Sequence, residues 1–258
     1  KKLQVKKKNY IEKFMKISIL LPYKENFSPS YAGAVSLFIN DTIKFSKFRN
    51  TTTVYGYTEY KKRFKSKYIN IQTSKKLFLS SNKEYVKKFL LIENQNKSDL
   101  IEIHNRPIYL NYLSKELHNR NYILYFHNDP LSMNGSTSIN DRIFLLKNCY
   151  RIVFNSNWSK KRFLEGMSSD AINSEKLIVI HQSASKNKIN IKKKQNIITF
   201  VGKLNKSKGY DLFGKAVLKI LKKYKNWKAI VIGDEPRSKL TFRHNRLDIL
   251  GFVNHDKV

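Results

Sequence analysis

Short apolar runs alternate with amphipathic segments along most of the 258-residue chain. Several runs are apolar at every position, which is typical of strands that are covered on both faces of a parallel sheet. Ten runs therefore predict strands: Ile17–Tyr23, Thr52–Tyr57, Tyr68–Thr73, Leu100–His104, Tyr122–His127, Arg151–Asn155, Leu177–Gln182, Ile197–Gly202, Lys228–Gly233 and Leu247–Val253.

The segments between these runs predict helices. In Asp211–Tyr224 the apolar positions are 212, 213, 216, 217, 220, 221 and 224, which form one stripe on a helix of 3.6 residues per turn. Ala34–Phe45 has a similar stripe. Regular alternation of strands and helices predicts an α/β fold with parallel sheets.

The chain is predicted to contain two α/β units. Residues 15–184 hold seven of the strands, and residues 197–258 hold only three, so the second unit is expected to be incomplete. The polar, lysine-rich stretch 185–196 is predicted to be a linker. The basic segment 1–14 has no apolar pattern and is predicted to be dispensable, with Met15 as a candidate natural start.

The net charge of +32 supports two interpretations. One is a nucleic-acid-binding protein. The other is an A/T-rich coding sequence that fills solvated faces with lysine. Proteins that read bases and phosphates favour arginine, whereas this chain has 41 Lys and 10 Arg, spread along its whole length. The contrast favours the second interpretation, and under either one the charge suits peripheral contact with an anionic membrane surface.

Cysteine content, the length of apolar runs and the absence of known motifs narrow the class of protein further. The chain has one cysteine, which excludes a disulfide framework, and no apolar run of the roughly 20 residues that span a bilayer, so a cytoplasmic location is expected. It contains no G-x-G-x-x-G, no G-K-[ST] and no histidine pair at metal-ligand spacing. No metal and no cofactor are therefore predicted.

Polar residues stand where the predicted strands end, and in open α/β sheets ligands bind at that edge. The residues at these positions are His104, His127, Asn128, Asp129, Asn155, Ser156, Gly202, Lys203, Gly233 and Asp234. One such histidine is commonly a buried residue with satisfied hydrogen bonds, but several polar strand ends together predict a ligand site. Gly33, in SPSYAGAV, marks a strand-to-helix turn that suits either an anion or an ordinary tight connection.

The stretch FVGKLNKSKGYDLF places three lysines between a strand and a helix. Lys203 leaves the strand, Lys208 lies at the helix start, and Gly209 would let a ligand approach closely. Two cations beside a helix N-terminus suit a diphosphate. The alternative is that these are three solvated lysines among many. Lys206, between the other two, is predicted to face water.

Three segments resemble group 1 (family 4) glycosyltransferases. VGKLNKSKGYDLFGKAV is similar to the family's V-G-R-L-x-x-x-K-G-x-x-x-L-x-x-A segment. WKAIVIGDEPR and LDILGFVNHDKV resemble the two segments that follow it, in the same order and spacing. The Gly33 turn, LIEIHNRP, YFHNDP and RIVFNSNWSKKRFLE are weaker matches to the family's N-terminal domain, so the resemblance covers about residues 15–258.

The resemblance implies the GT-B fold, in which two Rossmann-like domains face a cleft. It implies transfer of a sugar from a nucleotide-sugar donor to an acceptor hydroxyl, with retention at the anomeric carbon and without a required metal. The acceptor would be a glycan or a lipid-linked glycan in cell-surface polysaccharide synthesis, with no specific nucleic acid as partner.

The resemblance also assigns roles to single residues. Lys208 matches the lysine that holds the donor diphosphate, and Lys203 stands where the family usually has arginine. His127 matches the histidine that hydrogen-bonds the donor sugar, and Gly33 the loop near the phosphate. The residues expected near the base and ribose are Gly233, Gly251, Phe252 and Val253, while His104, Asn128, Asp129 and Ser156 are expected to line the cleft.

Two departures from the family pattern lead to further expectations. Glu235 replaces the second glycine of its segment and is expected to crowd the nucleotide pocket. The family's E-x7-E segment does not occur, so the chain is expected to be an incomplete glycosyltransferase. A nucleic-acid-binding protein and a non-catalytic remnant stay as alternatives. Steep salt dependence of binding to random duplex DNA would identify the former.

Overall fold

The computed structural model describes residues 15–73, 81–183 and 194–254. The chain divides into two compact units, Lys1–Ser185 (unit 1) and Lys186–Val258 (unit 2). The predicted extension 1–14 lies outside the described residues, as does most of the predicted linker 185–196.

Unit 1 contains a seven-stranded parallel sheet with the order β3-β2-β1-β4-β5-β6-β7. Its strands are β1 (Ile17–Leu20), β2 (Thr52–Gly56), β3 (Tyr68–Asn70), β4 (Leu100–His104), β5 (Asn121–Phe126), β6 (Arg151–Phe154) and β7 (Leu177–Val179). The chain runs outward from β1 to β3, returns beside β1 as β4, and then runs outward the other way. Ligands of open α/β sheets bind next to such a reversal.

Helices connect the strands of unit 1. They are α1 (Ala34–Phe45), α2 (Ser81–Asn96), α3 (Leu110–Glu116), α4 (Ile139–Asn148), α5 (Asn157–Leu164) and α6 (Ser169–Ile172). The predicted bounds of α1 are those observed. Two 3₁₀ turns, Pro107–Tyr109 and Pro130–Ser132, follow the ends of β4 and β5.

The side chains of β4 alternate between the two faces of the sheet and pack into two separate core clusters of unit 1. Ile101 and Ile103 point into the larger cluster, and Leu100 points into the cluster beneath α1. Successive side chains of a strand point to opposite faces, so Glu102 and His104 share the α1 face with Leu100. This face therefore carries two ionisable groups towards the carboxyl end of a central strand.

A buried carboxylate joins α2 to the sheet. Glu93 is fully buried and accepts hydrogen bonds from the Ser18 hydroxyl at 2.6 Å and from the Ser98 N–H at 2.7 Å, and also from the Ser98 hydroxyl. Arg120 Nε lies 4.0 Å from Glu93 Oε1. The hydrogen bonds offset the cost of removing this charge from water.

The lone cysteine belongs to the core of unit 1. Cys149 ends α4, where its N–H donates to the Leu145 carbonyl at 2.9 Å. Its side chain is 2% exposed, and burial raises the pKa of the thiol to about 12. The thiol therefore stays protonated at neutral pH.

Unit 2 contains a three-stranded parallel sheet of order β10-β9-β8, from β8 (Ile197–Val201), β9 (Lys228–Ile232) and β10 (Leu247–Ile249). Helix α7 (Tyr210–Lys223), predicted as Asp211–Tyr224, packs Val217 and Leu221 on Ala229. Arg246 Nη1 donates to the carbonyls of Lys225 and Trp227, at 2.6 and 2.8 Å, and so fixes the turn after α7.

All ten predicted strands are present, but several end earlier than the apolar runs suggest. β1 ends at Leu20 rather than Tyr23, because Pro22 has no N–H to continue a ladder. β10 ends at Ile249 rather than Val253, and Gly251 then takes a left-handed φ of 68°. No helix in the described parts of the chain is long and apolar enough to cross a membrane.

Candidate functional site

His127 follows β5 and is held at four polar atoms by residues from other strand ends. Its N–H donates to Asn105 Oδ1 at 2.8 Å, and its carbonyl accepts from Asn155 Nδ2 at 2.7 Å. Its ring Nε2 lies 2.9 Å from His104 Nδ1, and its ring Nδ1 lies 2.5 Å from Gln182 Nε2. The histidine is therefore fixed in position and in ring orientation.

Aromatic packing holds the two histidine rings further. The Tyr125 ring stacks on His104 with centroids 4.6 Å apart and planes 8° apart, and Phe38 meets His127 edge-on at 5.0 Å. His104 is 1% exposed. His104 is therefore almost inaccessible from solvent, whereas His127 is half-buried.

Burial determines the protonation state of His127. Desolvation, and secondly the neighbouring His104, lower the pKa of His127 to about 3. The ring is consequently neutral at physiological pH. A neutral imidazole has one donor and one acceptor nitrogen, so it suits hydrogen bonding to a sugar hydroxyl.

We expect His127 to make the stability of unit 1 depend on pH. The unfolded chain binds a proton below a pKa of about 6.5, whereas the folded ring does so only near 3. Stability is thus full above pH 6.5 and falls towards pH 3, by about 1.4 kcal/mol per pH unit at most. Urea unfolding at pH 7 and pH 5 should show this loss, and His127→Gln should reduce it.

Replacing the exposed His118 by Gln is the matched control for this measurement, and it should leave the pH dependence of the wild type unchanged. An equal loss of stability in the wild type and in His127→Gln would contradict the expectation.

The turn at Gly33 already contains an anion from the chain itself. Glu25 Oε1 accepts from the Ser36 N–H at 3.1 Å, in the first turn of α1. A Cβ on Gly33 would lie 2.1 Å from the same oxygen. Gly33 therefore makes room for the carboxylate, and a phosphate would have to displace Glu25 to reach that N–H.

The other predicted cleft residues of unit 1 have local structural contacts. Asp129 begins a 3₁₀ turn by accepting from the Leu131 N–H at 3.1 Å, and it pairs with Arg162 at 3.2 Å. Ser156 caps α5. Asn128 is exposed next to His127. These contacts explain the residue types without a ligand, and cleft lining by them stays a prediction.

In unit 2 the lysine-rich corner folds as a tight connection. Asn205 Oδ1 accepts from the Lys208 N–H at 3.2 Å and caps a 3₁₀ turn, Lys206–Lys208. Gly209 then takes a left-handed φ of 74° before α7 begins, and no atom lies within 4 Å of a Cβ added to it. Gly209 therefore supplies the left-handed backbone conformation that connects the 3₁₀ turn to α7.

A cavity of about 490 Å³ lies beside this turn, within unit 2. It is lined by Asn205, Lys206, Glu235, Arg237, Ser238, Lys239 and Leu240. Three cations and one carboxylate give the wall a net positive charge, and its volume is within the usual range for small-molecule sites. The lining includes Lys206 but neither Lys203 nor Lys208. Lys206 is exposed, as expected, and yet it faces this cavity.

Glu235 is the one acidic group of the cavity wall. It accepts from Arg237 Nε at 2.9 Å, and this hydrogen bond, with a smaller contribution from Lys203, lowers the pKa of Glu235. The carboxylate is therefore ionised at neutral pH. Glu235 pairs with Arg237, a cationic group that an anionic ligand of the cavity would also contact.

Gly233 and Gly251 follow β9 and β10. The Gly233 N–H donates to the Gly251 carbonyl at 2.8 Å, which joins the two strand ends. A Cβ on Gly233 would lie 1.9 Å from the Gly202 carbonyl oxygen. Gly233 thus allows two backbone segments to meet. Its predicted contact with the base and ribose, like those of Gly251, Phe252 and Val253, stays a prediction.

Sequence patterns did not identify several residues that shape these sites. Asn105 and Gln182 hold His127, and Arg237 and Lys239 line the cavity. Asn105 follows β4 directly, as the predicted strand-end residue Asn155 follows β6, so its position after an apolar run was an available signal. Nothing in the sequence indicated the other three.

Comparison with known proteins gives one family match. Residues 181–258 match the model of the family Glycosyl transferases group 1. This segment includes the lysine-rich corner and the cavity. A search of curated proteins found no match.

Solved structures show the same fold at low sequence identity. The Anabaena protein HepE, solved in complex with UDP, has a TM-score of 0.63 and 17% identity, covering 93% of this chain and 70% of that protein. The lipopolysaccharide outer core galactosyltransferase WaaB gives 0.58 and 15%, covering 94% and 70%. A UDP-GlcNAc 2-epimerase from Neisseria meningitidis, bound to UDP-GlcNAc, gives 0.54 and 12%, covering 93% and 73%.

These likenesses confirm the predicted fold class, an α/β fold of the GT-B type with parallel sheets. They concern the fold, since the identities are low. The family match to residues 181–258 adds that unit 2 carries the sequence features of group 1 glycosyltransferases.

Proposed function

We propose that the protein is a glycosyltransferase that moves a sugar from a nucleotide-sugar donor to an acceptor hydroxyl with retention. The observation that carries this proposal is the cationic cavity of unit 2, which lies in the segment that matches the transferase family. A nucleotide sugar is supported as the ligand class because HepE was solved with UDP, WaaB is a galactosyltransferase and the Neisseria epimerase was solved with UDP-GlcNAc.

In the proposed reaction the bond between the anomeric carbon and the diphosphate breaks, and its electron pair leaves with the nucleoside diphosphate. The acceptor oxygen bonds to the same carbon and loses its proton to the departing diphosphate. Cations that bind the diphosphate stabilise the charge that develops on it. We assign this role to Lys203 and Lys208 by resemblance, and to Lys206 and Arg237 because they line the cavity.

The sugar is assigned to His127, whose neutral ring suits a hydroxyl group. No metal is assigned to the reaction. The acceptor is proposed to be a glycan or a lipid-linked glycan of the cell surface, and the lysine-rich composition suits work at the cytoplasmic face of an anionic membrane.

Calorimetric titration with UDP and GDP tests the nucleotide site. We expect Lys206→Ala and Lys208→Ala each to weaken binding by roughly ten- to a hundredfold, because a charge-assisted contact to phosphate contributes about 1.5–3 kcal/mol. Lys228→Ala is the matched control, since this exposed lysine begins β9 at the opposite end of the strand from the cavity.

Equal, negligible effects of all three substitutions would contradict a diphosphate site in unit 2. The fold also occurs in an epimerase, so the reaction needs its own test. Incubation with UDP- and GDP-sugars and glycan acceptors should release nucleoside diphosphate with an elongated glycan. An epimerised sugar nucleotide with no elongated glycan would contradict the transferase.

A further inference from the structure

The ring nitrogens of His127 belong to a chain of four polar side chains. Gln182 Nε2 lies 2.5 Å from His127 Nδ1, and His127 Nε2 lies 2.9 Å from His104 Nδ1. At the far end, His104 Nε2 lies 3.6 Å from Glu102 Oε2 and has no hydrogen-bond partner among the described residues, although it is buried. The chain thus runs from an amide to a carboxylate.

The Glu102 carboxylate determines which atoms donate and which accept along these four side chains. A carboxylate only accepts, so the His104 proton is most stable on Nε2, where it faces Glu102. A neutral His104 then has a bare Nδ1, which accepts a hydrogen bond from His127 Nε2–H. The proton of a neutral His127 is consequently on Nε2, and Nδ1 of His127 is bare.

The amide end agrees with this direction. The Gln182 atom that approaches His127 is the amide nitrogen, which can only donate. A glutamine amide can rotate to present either its nitrogen or its oxygen, so this contact follows the tautomer that His104 sets. The pKa of His127, about 3, keeps that ring neutral, so one proton has to be placed on one of its two nitrogens.

We propose that Glu102 and His104 are positioning residues that hold His127 in a single tautomer, with Nδ1 as the hydrogen-bond acceptor offered to a substrate hydroxyl. Gln182 donates to that acceptor in the structure and stands in for such a hydroxyl. The tautomer follows from the contacts alone, whereas the substrate hydroxyl rests on the proposed function.

Nitrogen NMR of the full chain with ¹⁵N-labelled histidine tests the tautomer. We expect a bare Nδ1 and a protonated Nε2 for His127 in the wild type. His104→Phe keeps a ring for Tyr125 to stack on but removes the acceptor, so His127 should become a mixture of tautomers. His104→Asn returns an acceptor oxygen near the Nδ1 position and should restore the single form.

Glu102→Gln gives a second, milder test. A carboxamide can donate to His104 Nε2, which would allow the direction of the hydrogen bonds along the four side chains to reverse. It should also produce a mixture. His118→Phe, at an exposed site, is the control and should leave the His127 signals unchanged. A protonated Nδ1 in the wild type, or an unchanged single tautomer in both His104→Phe and Glu102→Gln, would overturn the proposal.

Release of nucleoside diphosphate from UDP- and GDP-sugars provides the second measurement. Partners that orient metal-binding histidines contribute about ten- to a hundredfold, and we expect a factor of the same order for a histidine that binds a substrate hydroxyl. We expect His104→Phe to lower kcat/KM by about that factor and His104→Asn to recover most of it. A single wild-type tautomer without any transfer would overturn the proposed function but leave the positioning role. A mixed tautomer in His104→Phe with unchanged kcat/KM would overturn the role in substrate binding.

Discussion

Gly233→Ala is expected to disrupt the cavity-bearing end of unit 2. The new Cβ would lie 1.9 Å from the carbonyl oxygen of Gly202, and φ at this position is 136°, where side chains are strained. Gly202 and Gly233 directly follow the last paired residues of β8 and β9, so a backbone shift at either position would disturb this end of the β8–β9 ladder. We expect a loss of more than about 4 kcal/mol in the free energy of unfolding, the range of exceptional substitutions.

Gly251→Ala is the matched control for this prediction. Its φ of 68° is also left-handed, but no atom lies within 4 Å of the added Cβ. The expected cost is about 1–2 kcal/mol. Hydrogen exchange of the β9 and α7 amides measures the effect of both substitutions. If these amides are as well protected in Gly233→Ala as in Gly251→Ala, the close approach of Gly233 to Gly202 does not require a glycine.

Glu93→Ala is expected to destabilise unit 1 by about 3–5 kcal/mol, the usual cost of removing one partner of a buried charge network. The substitution would leave the Ser18 hydroxyl and the Ser98 N–H without the acceptor that now lies 2.6 and 2.7 Å away. Arg120, 4.0 Å from Glu93, would keep its charge without the neighbouring carboxylate. Urea unfolding of the full chain measures the loss.

Glu175→Ala is the control for Glu93→Ala, because Glu175 is exposed between α6 and β7. Surface substitutions of this kind usually change stability by no more than about 0.5 kcal/mol. If the two alanine variants unfold at the same urea concentration, the hydrogen bonds of Glu93 do not stabilise the native sheet.

The fold could be predicted from the sequence because a strand that is covered on both faces of a sheet has to be largely apolar. β4 shows this well, since LIEIH is apolar at three of five positions and alternates its remaining two, Glu102 and His104, onto one face. The helix stripe of α7 was predicted within one residue at each end. Strand ends were less accurate because they depend on pairing with the neighbouring strand.

The site was only partly predictable, for a geometric reason. His127 was recognised from its place after a strand, but its partners are 22, 23, 28 and 55 positions away in the sequence. The order of strands in the sheet brings these residues together, and no local spacing records that order. Glu25 was missed likewise, because a carboxylate before a turn does not indicate which N–H it will cap.

The deeply buried thiol of Cys149 allows the opening of unit 1 to be timed by alkylation. At pH 8, a pKa of about 12 leaves roughly one thiolate in ten thousand, and the side chain is almost inaccessible to a reagent. Alkylation must therefore wait until this part of unit 1 opens, so its rate measures how often opening occurs. Because the sequence has a single cysteine, one mass increment in an intact-protein spectrum counts each opened molecule without any mapping of the modified position.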